Sequence, residues 1–172
     1  MTLIRPETAD DADQIHKLTD LAFAEAPYSD GTEAGIVRRL RADGDLMISL
    51  VADRETNLVG HIAFSPLASP DHSGWACLGP LSVLPDLQGH GIGRRLIEEG
   101  LALLRDHEVK GCVLLGSPEL YGRFGFRSTG SITHGELPVE YLQYLSFDGS
   151  EPKGEVAFAP AFSPATEEAS EP

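Results

Sequence analysis

The sequence predicts one α/β (α+β) domain built on a mixed, mostly antiparallel central sheet, and three observations carry that expectation. After a short first strand, two segments of helical period are followed by three strand-like segments, the last of which leads into a long amphipathic helix and another strand. Successive strands suit an antiparallel meander, whereas strand, helix, strand requires a parallel crossover. A length of 172 residues with 41% hydrophobic and 23% charged residues is that of an ordinary globular domain able to bury its own core.

Residues 2–5 form a short strand stopped by Pro6. Thr8 followed by Asp11 resembles a capping box, so the first helix is expected to start near Ala9, with Ala12, Ile15, Leu18 and Ala22 on its apolar side. After the turn-forming run from Pro27 to Gly31, a second helix carries Ile36, Val37 and Leu40. Strands follow over 47–52, 58–65 and 75–83. The period returns to helical from His90 to His107, where Leu96, Ile97, Leu101 and Leu104 share one stripe. Cys112 to Leu115 reads as a buried strand. Ser117 and Pro118 then supply an N-cap and an N1 proline for a brief helix ending at Gly125. Between 126 and 148 the β-like pieces are broken by Gly130, Gly135 and Pro138, and no boundary is assigned. Residues 154–162 alternate as a last strand would. The expected organisation is one domain over 1–162 and an acidic, disordered tail over 163–172.

A formal net charge of -14 argues against a nucleic-acid surface and suits a cationic acceptor. Cys77 and Cys112 lie in apolar segments without CxxC spacing, and the six His form no pair at ligand spacing, so neither disulfide nor metal is expected. No apolar run approaches the roughly 18 residues of a membrane span, and a cytoplasmic location is expected.

The chemistry is expected in the turn Gln88-Gly89-His90-Gly91-Ile92-Gly93-Arg94, which joins a strand to the long helix. Alternate glycines let a backbone approach a ligand, and the first N–H groups of a helix lack intrahelical acceptors, which together make a phosphate site. Arg94 and Arg95 occupy the helical turn where the dipole disfavours cations, a conflict that an anion would remove. A Rossmann turn would need a third glycine where Arg94 stands, and a P-loop would need Gly-Lys-Ser/Thr.

Gln88 to Gly93 resembles the Q/R-x-x-G-x-G/A pyrophosphate turn of the GNAT superfamily of N-acetyltransferases, at the family's place between the fourth strand and the third helix. Tyr121 to Phe126 resembles the family's Tyr-x-x-x-Gly-Phe signature. The run from Gly116 to Phe126, with Phe158-Ala159-Pro160-Ala161-Phe162, is similar to a subgroup of small bacterial members. Where members often carry Asn at the start of the helix after the fifth strand, this chain has Ser117.

The resemblance implies a sheet with helices on both faces, acetyl-CoA as acetyl donor, a primary amine as acceptor and no metal. It also implies pantetheine contacts from the backbone of Leu81, Ser82 and Val83, and pyrophosphate contacts from the N–H groups of Gly89, His90, Gly91, Ile92, Gly93 and Arg94. On physics alone Tyr121 reads as a packed aromatic; the resemblance makes it the candidate general acid. Glu25, His61 and Glu119 are weighed as bases without a choice among them, and Tyr28, Phe64 and Trp75 receive no role. A non-catalytic acyl-CoA-binding module is the alternative, a nucleotide-binding domain stands behind it, and a homodimer stays open.

Overall fold

The computed structural model describes residues 1–27 and 29–163. Six strands hydrogen-bond in the order β1-β2-β3-β4-β5-β7, where β1 is Thr2–Pro6, β2 Ile48–Arg54, β3 Asn57–Pro66, β4 Trp75–Val83, β5 Gly111–Leu115 and β7 Leu142–Ser146. The helices are α1 (Ala12–Phe23), α2 (Glu33–Asp43), α3 (Ile92–Asp106) and α4 (Pro118–Tyr121). Two short strands, β6 (Ile132–Thr133) and β8 (Gly154–Glu155), pair in parallel. The chain groups into two compact units, Met1–Phe64 with Gly79–Leu104 and Ser65–Leu78 with Arg105–Pro172.

In the first unit, β2 pairs antiparallel with β3, as the meander reading expected, and on its other edge with β1. Alternation along the strands gives each face its own helices. Val51 and Leu58 meet Ile15, Leu18 and Val37 from α1 and α2, while a Cβ placed on Gly60 would lie 3.0 Å from Ile92 and Leu96 of α3. The apolar stripe Leu96, Ile97, Leu101 and Leu104 is buried along its whole length.

Asp11 shows how local chemistry sets the first helix. Its carboxylate accepts from the Thr8 N–H at 2.7 Å and the Thr8 hydroxyl at 3.1 Å, and from Arg5 at 2.8 and 3.2 Å. The expected helix start is displaced, because Ala9–Asp11 is a 3₁₀ turn and the α-helix begins at Ala12.

In the second unit, β4 and β5 pair in parallel from Trp75↔Gly111 to Cys77↔Val113, the crossover that the strand, helix, strand order required. β5 pairs antiparallel with β7. Leu67, Trp75, Cys77, Val113, Ile132, Leu142, Tyr144 and Val156 form the core here, with Trp75 edge-on to Tyr144 at 6.3 Å. The last strand is a correction: only Gly154–Glu155 is extended pairing, and Pro160–Phe162 is a 3₁₀ turn. The period of Phe158 and Phe162 reflects their seating against that core, not a sheet. Of the expected acidic tail, residues 164–172 lie outside the described residues.

These contacts set two expectations for stability. A Cβ at Gly111 would collide with the Leu145 carbonyl oxygen and stand 2.5 Å from the Trp75 ring, whereas Gly35, exposed on α2, has nothing within 4 Å. Gly111→Ala should therefore cost about 1–3 kcal/mol and Gly35→Ala should gain about 0.5–1 kcal/mol in denaturant titrations. The Arg5 guanidinium and the Thr8 donors hold the Asp11 carboxyl down at about 2. A depressed carboxyl stabilises the fold above its unfolded pKa and loses that contribution as pH falls through its folded value. Asp11→Asn should be less stable than wild type by on the order of 2 kcal/mol at neutral pH, with the gap closing from about pH 4 toward pH 2.

Candidate functional site

β4 leads through a 3₁₀ turn at Pro85–Leu87 into the Gly-rich turn and α3. Gly89 and Gly91 have φ of +81° and +88°, with nothing within 4 Å of where a Cβ would stand at either, so the backbone angle itself demands glycine. The helical ladder begins with the Arg95 N–H donating to the Gly91 carbonyl at 3.1 Å. The N–H groups of Gly91, Ile92, Gly93 and Arg94 therefore precede the first residue with a helical acceptor. Gln88 Nε2 donates to the Val83 carbonyl at 3.1 Å. His90 Nδ1 lies 3.2 and 3.1 Å from the carbonyls of Leu87 and Gln88, which can only accept, so the proton sits on Nδ1. Side chains thus close the turn from within, while Gln88 to Gly91 stay exposed and Ile92 is buried beneath them.

Gly93 differs from its two neighbours. It is helical, and a Cβ there would meet only the Val83 side chain at an ordinary 3.7 Å. The protein's own packing thus leaves room for alanine at this position.

Arg94 Nε donates to Glu98 at 3.1 Å, and Arg95 donates to the Thr2 carbonyl at 2.9 Å with Glu99 at 3.8 Å. These glutamates one turn on partly offset two cations at the positive end of the dipole. The pairs are exposed, a setting in which such bridges contribute little, so the guanidinium groups can turn to another anion. On β4, Leu81 and Val83 are half-buried and Ser82 is buried.

Tyr121 belongs to the second unit. Ser117 caps α4 by accepting from the Leu120 N–H at 3.4 Å, and Gly125 ends the following 3₁₀ turn at φ +97°, as the Ser-Pro and Gly signals require. Tyr121 is half-buried, edge-on to Phe126 at 6.1 Å, and a Cβ on Gly116 would stand 2.6 Å from its ring. Glycine at 116 is what lets the ring lie over the end of β5.

Among the residues weighed as bases, Glu25 and Glu119 are exposed and His61 is fully buried. Burial holds the His61 pKa down at about 4, so the imidazole is neutral at physiological pH. Phe64 and Trp75 are core residues; Tyr28 lies outside the described residues. Cys77 and Cys112 are free and buried, and burial pushes the Cys77 thiol up to about 12 and raises Cys112 as well. Neither offers a thiolate near neutrality. Among the described residues no group of three or more His, Cys, Asp or Glu could hold a metal ion, and no helix is long and apolar enough to cross a membrane. A cavity of about 30 Å³ beside Arg38 and Arg41, between α1 and α2, has room for little more than water and includes no residue of the turn.

One polar set escaped the sequence reading. Arg41 donates twice to Glu7, both at 2.9 Å; Ser49 donates to Glu7 at 2.5 Å; and His61 Nε2 lies 2.7 Å from the Ser49 hydroxyl oxygen. Its members are spread over the end of β1, α2, β2 and β3, so no local spacing signals them.

A sequence profile described as the acetyltransferase (GNAT) family matches residues 14–126. The uncharacterized N-acetyltransferase YhbS of Escherichia coli K12 is 39% identical over 126 residues, 72% of each chain. A GNAT family acetyltransferase from Brucella melitensis, solved in complex with acetyl-CoA, is 44% identical, with a TM-score of 0.84 over 94% of this chain and 98% of its own. The Escherichia coli YhbS structure, solved with CoA, is 30% identical with a TM-score of 0.84 over 94% of this chain and 92% of its own. With the mixed sheet, the turn ahead of α3 and a sequence match spanning both, the chain belongs to the GNAT family of acetyltransferase enzymes.

Proposed function

We propose that this protein binds acetyl-CoA at the turn ahead of α3 and transfers its acetyl group directly to a primary amine. The observation that carries the reading is the pair of left-handed glycines, Gly89 and Gly91, immediately before the unpartnered N–H groups of α3. Such a terminus binds phosphate through its N–H groups and its dipole. The N–H groups from Gly89 to Arg94, with Gln88 shaping the loop, hold the pyrophosphate, and the backbone of Leu81, Ser82 and Val83 lies along the pantetheine arm. The two related structures solved with acetyl-CoA and CoA support this assignment. Membership of an enzyme family favours catalysis over a non-catalytic acyl-CoA-binding module.

In direct transfer the amine nitrogen attacks the thioester carbonyl, a C–N bond forms, the C–S bond breaks, the nitrogen releases a proton to solvent and the thiolate takes one. Tyr121 is the proposed donor of that proton, since a phenol of pKa about 10 is matched to a thiol of about 8.5. The two buried, protonated cysteines favour direct attack over an acyl-cysteine intermediate. Free thiols also suit the cytoplasm as the proposed location. The acceptor is an amine on a small molecule or a protein. Residues 1–162 are proposed to act as one catalytic domain.

Three measurements check this reading. Gly91→Val should abolish the melting shift produced by acetyl-CoA. An unchanged shift in a folded Gly91→Val variant would remove the turn from the site. Neutralising Arg94 should weaken binding more at low than at high ionic strength, and parallel salt series for variant and wild type would leave it a surface residue. Tyr121→Phe should lower turnover by on the order of 10²- to 10⁴-fold with affinity and melting temperature little changed. Full turnover with chemistry limiting would return Tyr121 to a packing role.

A further inference from the structure

Among the described residues, four buried side-chain polar atoms of the first unit have no hydrogen-bond partner: His16 Nδ1, Asp53 Oδ1, and two that lie on neighbouring strands, Nδ1 of His61 and the hydroxyl of Ser82. The chain positions of the last two are 21 residues apart, but the sheet brings them together. The Leu84 N–H donates to the Val59 carbonyl at 3.0 Å, and in an antiparallel pair that bond joins directly opposite residues. Counted inward from that bond, His61 falls opposite Ser82 and Gly60 opposite Val83; the Leu67 N–H bond to the Trp75 carbonyl sets a register one residue different at the far end, so a one-residue irregularity lies between the two bonds. The face assignment agrees. Gly60 lies against Ile92 and Leu96 of α3 and Val83 against Gly93 of α3, so the alternate residues His61 and Ser82 share the other face. His61 is also the partner of Val51, which lies in the cluster with α1 and α2.

The proton inventory of His61 is fixed by its neighbours. Ser49 has one hydroxyl proton and gives it to the Glu7 carboxylate, so its oxygen must accept from His61 Nε2–H. In the neutral imidazole this leaves Nδ1 as a lone-pair acceptor. Ser82, directly opposite, has a hydroxyl proton to give. Opposite Cβ atoms in a sheet stand about 4.5–5.5 Å apart, a spacing that one bridging water suits when the side chains do not meet directly.

We propose that a single buried water joins the Ser82 hydroxyl to His61 Nδ1, and that His61 is thereby a positioning residue for the end of β4 that carries the acyl-CoA arm. The chain then runs from Arg41 through Glu7, Ser49 and His61 to Ser82. It ties β4 to β3, β2, the end of β1 and α2 by bonds that leave each imidazole nitrogen and the Ser82 hydroxyl satisfied. The second half of the proposal rests on the assignment of Leu81, Ser82 and Val83 to acetyl-CoA.

The test is a double-mutant cycle read by acetyl-CoA affinity and melting temperature. Ser82→Ala deletes the donor, and His61→Gln keeps an amide N–H near Nε2 while deleting the acceptor at Nδ1. Each should weaken acetyl-CoA binding by about 5- to 10-fold, the double variant no more than either single. His61→Asn, which keeps an acceptor near Nδ1, should retain affinity. Imidazole ¹⁵N spectra should give the Nε2–H tautomer in wild type and a displaced Nδ1 resonance in Ser82→Ala, a readout that remains should His61→Gln fail to fold. Additive losses, a fall in melting temperature alone, or an Nδ1 resonance indifferent to Ser82→Ala would overturn the proposal. Wild-type protein that does not bind acetyl-CoA would instead overturn the cofactor reading, leaving the tautomer and the Nδ1 resonance to decide the bridge.

Discussion

The seating of α3 on β3 is the constraint on which the turn depends. Gly100 of α3 is so close to Phe64 of β3 that a Cβ would stand 2.5 Å from its ring, and Gly60 of β3 admits Ile92 and Leu96 at 3.0 Å. Phe64, Ile92 and Leu96 are all buried, so there is little room for either element to move. A helix held this close fixes where its N-terminus lies and where its first N–H groups are presented. The glycines of the turn serve the backbone angle; those at 60 and 100 serve approach. Substituting the second kind would displace the proposed phosphate site without touching it.

The first unit therefore separates two tasks. Apolar contacts on the α3 face hold the turn, and on the opposite face a polar chain from Arg41 to His61 crosses the strands under α1 and α2. His61 is poorly suited as a base for an ammonium, because its buried imidazole gains a second proton only as pH falls to about 4. Glu7 is no better, since its hydrogen bonds with Arg41 and Ser49 lower its pKa despite burial. Both groups make sense as fixed hydrogen-bonding partners.

What was legible in the sequence was local. Thr8 with Asp11, Ser117 with Pro118, and Gly125 each state their geometry within a few residues and are found as read, and the Gly-rich turn shows the left-handed glycines at 89 and 91. The helix starts were less well placed because a capping signal does not say whether the first turn is 3₁₀ or α. β7 was not legible, since it is defined by pairing with β5, some thirty residues earlier, and its neighbours Gly135 and Pro138 speak only for turns. The alternation over 154–162 misled for a related reason: Phe158 and Phe162 face the core from irregular chain around Pro160. The Glu7, Ser49 and His61 set was invisible because charge and hydroxyl chemistry without spacing resembles any polar surface.

Acyl-CoA phosphate recognition by the turn is the central claim, and amide chemical shifts report on it directly. Isotope-labelled protein titrated with acetyl-CoA should show its largest backbone amide perturbations at Gly89 to Arg94, smaller ones at Leu81 to Val83, and the same pattern with desacetyl-CoA. Shifts concentrated elsewhere, with the amides of Gly91 to Arg94 unmoved at saturation, would contradict it.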